Sequence, residues 1–260
     1  MQPARMNKKT TDDLLYDIMV DLSVREPTPP DRLKRKVMIL STPRSGSSLF
    51  CDVINHSHTI GECREWFNMR YLQAYAKLKN SSNVSLTEYL DFIITRTLAG
   101  SDTFAVNMHI DQYRTLLKQN FDPFTLGFSE TFYLQRNNKL RQAVSLAKAW
   151  QTDQWTANAK ASNPAKTPPT NAMISQALST LLNDEQFYRD NLQVKVSHEF
   201  SYETFRNLND PDGIRRFFEI LGLQADSNAT TEMKIQSDES SEVLSDQFIA
   251  HISGRVDEQG

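Results

Sequence analysis

Short apolar runs alternate with longer amphipathic stretches along most of the chain. Residues 37–41 (VMILS) are almost wholly apolar, which suits a strand buried on both faces of a parallel sheet. The turn-like segment TPRSGSS (42–48) follows at once, and SLFCDVINH (48–56) then reads as a helix. The rhythm repeats further on. FAVNMHI (104–110) precedes DQYRTLLKQ, and TFYLQ (131–135) precedes a helix predicted over 138–156. LQVKVSHEF (192–200) is predicted as a strand, followed by a turn and a helix over 211–221. Strands alternating with helices predict βαβ units, so the expected fold class is α/β with a mainly parallel central sheet flanked by helices.

Two stretches fall outside that rhythm. Residues 12–22 (DDLLYDIMVDL) place Leu14, Leu15, Ile18, Met19 and Leu22 at helical spacing, and REPTPPDRLKRK then breaks the pattern with three prolines. Residues 1–34 are therefore expected to be a helical appendage and linker, and residues 35–260 a single α/β domain. Arg32, Lys34, Arg35 and Lys36 are read as a solvated lead-in to the first strand rather than a phosphate patch. Residues 157–170 (ANAKASNPAKTPPT) are polar, with three prolines, and are expected to form a long surface loop or lid.

Composition narrows the function classes. Of 260 residues, 39% are apolar, enough for a core and too many for a disordered chain. Lys+Arg number 29 against 32 Asp+Glu, a net charge of −3, so nucleic acid is not an expected partner. No apolar run approaches the ~20 residues that cross a bilayer. The opening MQPARMNKKTTDDLLYDIM lacks the apolar core of a secretory signal, so a cytoplasmic location is expected. Two cysteines, Cys51 and Cys63, do not make a disulfide scaffold. His56, His58 and Cys63 lack a fourth ligand for zinc, and no metal is expected.

The strongest local chemistry lies in TPRSGSS. Gly46 permits a tight turn whose N–H groups face an anion, and the following helix adds its positive N-terminus. Ser45, Ser47 and Ser48 supply hydroxyls, and Arg44 a fork of N–H groups suited to phosphate or sulfate. This is not a Walker A loop: there is one glycine, and no lysine follows it. The plain alternative is a serine-rich helix cap without a ligand.

Three blocks, STPRSGSSL (41–49), GECREWF (61–67) and QRNNKLRQAVSLAKAWQTDQW (135–155), resemble the Stf0-type sulfotransferases in order and spacing. The likeness runs from about residue 36 to about residue 253. It implies a P-loop-like sulfotransferase architecture and transfer of a sulfuryl group from 3′-phosphoadenosine 5′-phosphosulfate (PAPS) to a hydroxyl of a carbohydrate or glycolipid, releasing PAP. Arg44, Ser45, Gly46, Ser47, Ser48 and Leu49 are then expected at the phosphosulfate end of the donor, and Arg136 with Ser145 at its 3′-phosphate, with Arg141 as a second nearby cation. Glu65 takes the place of the family's base, Arg44 stabilises charge on the sulfuryl oxygens, and Glu62 and Trp66 fall on the acceptor side. Against the base reading stands a simpler one, that Glu62 and Glu65 charge the first turn of a helix beginning there. Trp66, Phe67 and Tyr71 are read as core as readily as sugar-stacking rings, and Tyr202–Glu203 as a structural turn.

The chain departs from the family pattern in two places. Val106-Asn107-Met108-His109 stands where the family has a lysine-containing strand, and Lys234 and Val243 replace family residues near the C-terminus, with Gln236 still a candidate to reach the nucleotide. The expected rivals are a nucleotide-binding protein of the same fold without turnover and a phosphoryl-transfer enzyme, the latter disfavoured by the missing lysine. The resemblance leaves room for a homodimer, with residues 1–34 as a candidate interface.

Overall fold

The apolar runs assemble as the alternation requires. In this computed structural model, which describes residues 9–155, 161–163, 167–206, 212–224 and 239–254, the strands are β1 (Arg35–Ser41), β2 (Thr103–His109), β3 (Glu130–Gln135) and β4 (His198–Ser201). They form one all-parallel sheet in the order β2-β1-β3-β4. The helices are α1 (Thr11–Val24), α2 (Ser47–His56), α3 (Met69–Leu78), α4 (Leu86–Thr97) and α5 (Ile110–Lys118), then α6 (Lys139–Thr152), α7 (Asn171–Asn191), α8 (Tyr202–Phe205), α9 (Asp212–Ile220) and α10 (Glu239–Ile252). Among the described residues, no helix is long and apolar enough to cross a membrane.

Alternate residues of β1 feed two cores. Val37 and Ile39 pack with Phe50 and Ile54 of α2 and Phe217 of α9, whereas Met38 and Leu40 pack with Trp66, Tyr71 and Tyr75 on the other face. Burial of β1 on both faces explains why its sequence is apolar throughout rather than alternating. A third cluster joins α6, α7 and α10 through Val144, Leu146, Leu181 and Phe248.

Two element bounds differ from those expected, and the expected helix at 12–22 forms within α1, with Met19 and Leu22 wholly buried in the same cluster as Met38 and Leu40. Arg25, at the end of α1, donates to Glu62 at 2.9 Å, and Arg96 of α4 donates to the Ser23 carbonyl at 3.0 Å. Leu22→Ala should therefore cost about 2–5 kcal/mol of stability in urea unfolding, whereas removal of a true appendage residue would leave the midpoint in place. The strand predicted over 192–200 is present only as His198–Ser201; Leu192 closes α7 by donating to the Tyr188 carbonyl at 2.8 Å, and Val194 is 94% exposed. The helix predicted to 156 stops at Thr152, because Asp153 turns left-handed at φ 51°. Residues 157–160 and 164–166 of the expected loop, with Lys234 and Gln236, lie outside the described residues.

Candidate active site

Parallel register brings the chemically marked residues to one edge. Ser41 of β1 pairs with His109 of β2 and Leu134 of β3, so these strands end together. The segments leaving β1, β3 and β4 carry TPRSGSS, Arg136 and Tyr202–Glu203. The chain crosses from one side of β1 to the other between β2 and β3, and open α/β sheets bind ligands outside the strand ends at such a switch.

The loop after β1 is fixed by side chains distant in sequence. Arg44 and Gly46 both adopt left-handed backbone, φ 62° and 92°, and Gly46 precedes the first residue of α2. A Cβ on Gly46 would lie 2.3 Å from the Tyr202 ring. Gln142 of α6, wholly buried, donates to Thr42 Oγ1 at 2.8 Å and to the Pro43 carbonyl at 2.7 Å, and accepts from Lys139 Nζ at 3.3 Å. Gln142→Leu strands the Thr42 hydroxyl and the Pro43 carbonyl in the interior. The expected loss is about 1–3 kcal/mol, read as a lowered melting temperature together with weaker anion binding at the loop.

Tyr202 and Glu203 hold this frame. The Arg136 guanidinium lies 4.9 Å over the Tyr202 ring, and the Glu203 carboxylate accepts from the Asn137 and Asn138 N–H groups at 3.1 and 3.4 Å. Arg136 also donates to the Arg44 carbonyl at 3.4 Å. Among the described residues, the buried Ser45 Oγ and Arg136 Nε find no hydrogen-bond partner beside the loop. Such atoms are costly unless something else satisfies them.

Arg44 turns inward. Its Nε donates to Ser145 Oγ at 3.0 Å and its Nη1 to the Trp155 carbonyl at 2.6 Å, while the Trp155 indole N–H is held by Asp153 at 2.8 Å. The bond to Ser145 thus comes from Arg44 rather than from Arg136. Burial, and next the charge of Arg136, push the Arg44 guanidinium down to about 10, and Glu65 partly offsets them. Burial likewise lowers Arg136. Two desolvated cations that disfavour each other make a site that favours an anion. Arg141, whose charge also disfavours that of Arg136, is paired with Glu242 of α10 at 2.6 Å.

Glu65 is not in a helix, which removes the reading of Glu62 and Glu65 as first-turn acids. Residues 61–64 run along the outer edge of β2 instead: Gly61 N–H donates to the Thr103 carbonyl at 2.8 Å and Asn107 N–H to the Arg64 carbonyl at 2.9 Å. A Cβ on Gly61 would stand 2.8 Å from that same Thr103 oxygen, so only glycine lies this close. Glu65 Oε2 accepts from Asn68 Nδ2 at 3.1 Å and Gln112 Nε2 at 2.9 Å, while Oε1 stands 3.7 Å from His109 Nε2.

The remaining expected residues fall into two groups. Ser47 is buried at the start of α2, its Oγ 3.4 Å from His109 Nε2, and Ser48 is half-buried beside it. Leu49 sends its side chain into the core, which leaves its backbone to the site. Glu62 is engaged by Arg25 and by Arg64 Nε at 2.5 Å, and Trp66 is wholly buried, its indole N–H on the Glu62 carbonyl at 2.9 Å. Trp66 therefore offers no ring face to a sugar, and Phe67 and Tyr71 are core as well. Asn107, buried, accepts from Ser41 Oγ at 2.9 Å and brings no positive charge. Asn68, Gln112 and Gln142 are the residues that the sequence does not single out. Only Gln142 lies in a marked block, and nothing in the linear pattern ties it to a loop some hundred positions away.

A family model for Stf0 sulphotransferase matches residues 36–250. No curated protein matches the chain. Among solved structures, a sulfotransferase domain from the curacin biosynthetic pathway aligns over 88% of this chain and 98% of its own, at 10% identity and a TM-score of 0.42. Retinol dehydratase in complex with retinol and PAP aligns over 88% of this chain and 83% of its own, at 13% identity and a TM-score of 0.34. Retinol dehydratase with androsterone and inactive cofactor PAP aligns over 97% of each chain, at 13% identity and a TM-score of 0.35.

Proposed function

The chain belongs to the Stf0 sulphotransferase family, and we propose that it moves a sulfuryl group from PAPS to a hydroxyl of a carbohydrate or glycolipid, releasing PAP. The observation that carries the donor assignment is the pair of buried, unpartnered atoms, Ser45 Oγ and Arg136 Nε, beside a loop that already gathers two desolvated arginines. The residues present fit a polyanionic nucleotide without any metal ligand being called upon.

PAPS supplies the sulfuryl group. Arg44, Ser45, Gly46, Ser47, Ser48 and the Leu49 backbone bind its phosphosulfate end, using the first-turn N–H groups that α2 does not consume. Arg136 and Ser145 bind the 3′-phosphate, Ser145 becoming available when Arg44 turns toward the incoming charge. Glu65, its Oε2 fixed by Asn68 and Gln112, takes the acceptor proton on Oε1 as the acceptor oxygen bonds to sulfur and the sulfur–phosphate oxygen bond breaks. A polar acceptor suits the polar side chains around that carboxylate, Asn68, His109 and Gln112. The proposed setting is the cytoplasm. A second reading, nucleotide binding without turnover, draws on Asn107, which brings no cation to the strand end.

Calorimetric titration with PAP, 5′-AMP and ATP tests the donor assignment. PAP should bind at least ~tenfold more tightly than AMP, about 1.4 kcal/mol, and Arg136→Ala should erase that preference by weakening PAP alone. Equal binding of PAP and AMP by the native protein would sink the assignment, and a preference for ATP would favour phosphoryl transfer.

A further inference from the structure

Glu65 is not the sole group at the strand edge able to carry a proton. His109 ends β2 with 9% of its surface exposed, and its Nε2 lies 3.4 Å from Ser47 Oγ and 3.7 Å from Glu65 Oε1. Gln112 touches both residues, accepting from the His109 backbone N–H at 3.2 Å and donating to Glu65 Oε2 at 2.9 Å. That double contact ties the end of β2 to the Glu65 carboxylate. Since Asn68 and Gln112 already occupy Oε2, Oε1 is the oxygen placed to receive a proton, and the imidazole is the next basic atom beyond it.

We propose that His109 is a positioning residue that relays the acceptor proton away from Glu65. The inference rests on the reading of Glu65 as base. The acceptor O–H bond breaks and its proton bonds to Glu65 Oε1 while the O–S bond forms and the bond from sulfur to the phosphate oxygen breaks. The proton then passes from Oε1 to the lone pair of neutral His109 at Nε2, restoring the carboxylate and leaving an imidazolium. The gap of 3.7 Å closes by well under an ångström per side chain, as catalytic contacts do when a site fills. The imidazolium so formed stands beside Ser47, at the loop where the leaving phosphate gathers negative charge, and the two attract. Later loss of the proton to solvent resets the pair.

The charged groups around His109 are few enough to name. Glu65 faces it from the segment after α2. Asp184 of α7, held by Arg114 of α5 at 3.1 Å and facing Asp111 of α5, also acts on it, and Arg44 acts on Glu65. Glu65 is thus the nearest anion, and its removal is the cleanest perturbation.

Two measurements test the relay, one of them independent of turnover. Imidazole nitrogen correlations of His109 are recorded by NMR at one pH, in the native protein and in Glu65→Gln. The Nε2 signal should move when the carboxylate 3.7 Å away becomes an amide; an unmoved signal overturns the relay. In the second, PAPS turnover is followed as PAP release with water as acceptor and with a sugar panel. His109→Gln should lower kcat at least ~tenfold, leave PAP affinity within twofold and add nothing to the loss already caused by Glu65→Gln. His109→Asn, which retains a helix-capping side chain, is the second variant should the glutamine melt early. Native kcat in His109→Gln with Glu65→Gln inactive overturns the relay alone. Native kcat in Glu65→Gln overturns the base assignment and the relay together.

Discussion

Glu65→Gln should abolish turnover while PAP still binds. The amide keeps the shape of the carboxylate, and its carbonyl can still accept from Asn68 and Gln112, so the segment along β2 remains in place. What disappears is basicity. A positioned general base contributes about 10²–10⁴ in rate, and a fall of that size in kcat is expected from PAP release assays. Binding should move the other way, if at all. Glu65 lies near Arg44 and stabilises its charge, so its neutralisation removes an anion that competes with the donor for the same guanidinium. Calorimetry should therefore report a PAP affinity equal to or tighter than that of the native chain. Full turnover by the variant would end the base assignment whatever the family.

The parts of this site differ in how plainly the sequence announces them. The loop after β1 is legible because its needs are local: an apolar strand, a turn requiring glycine, then a helix start, all within about a dozen positions. The same holds for β2 and β3, each an apolar run followed by a helix with its own start signals. Legibility fails where the deciding contact is distant. Leu14 to Leu22 show a helix with an apolar face, but nothing local says that Met38 and Leu40 will cover it. Val194 and Val196 favour a strand by residue type, yet the end of α7 and a tight turn claim that region, and Phe200 is the β4 side chain that reaches the core. α7 itself is obscured because Asp184 and Glu185 are buried on the face that would otherwise be apolar, paired with Arg114 and Lys139.

The residues proposed for function follow the same division. Arg44 and Gly46 stand out from their loop, and Glu65 is proposed only once its block is matched to a family. Trp66 is misleading for a physical reason: an aromatic beside an acidic residue is what a sugar site and a packed edge segment both use, and only burial separates them. Glu62 is similar, since its contacts with Arg25 and Arg64 tie α1 to the segment carrying Glu65. The clamp made by Asn68 and Gln112 has no linear signature, because amide side chains are common and their partner is chosen by the fold.

Gly46→Ala should dismantle the donor loop, and a double-mutant cycle can show how. Two costs add at this position. Left-handed backbone at φ 92° costs a residue with a Cβ roughly 1–2 kcal/mol, and a methyl group 2.3 Å from Tyr202 Cδ2 forces that ring to move, at a further ~1–3 kcal/mol. Movement of Tyr202 takes with it the face on which Arg136 rests and loosens the turn that Glu203 holds. PAP affinity should consequently fall far more than a methyl group in open solvent would explain. In a Tyr202→Ala background the severe clash is gone, leaving a 3.3 Å approach to Phe205 Cζ, and Gly46→Ala should then cost little beyond its backbone share in thermal or urea unfolding. A coupling of at least ~1 kcal/mol between the two substitutions is expected. Strict additivity would mean that Tyr202 does not seat the loop, and the case for the Tyr-Glu pair as its support would fall.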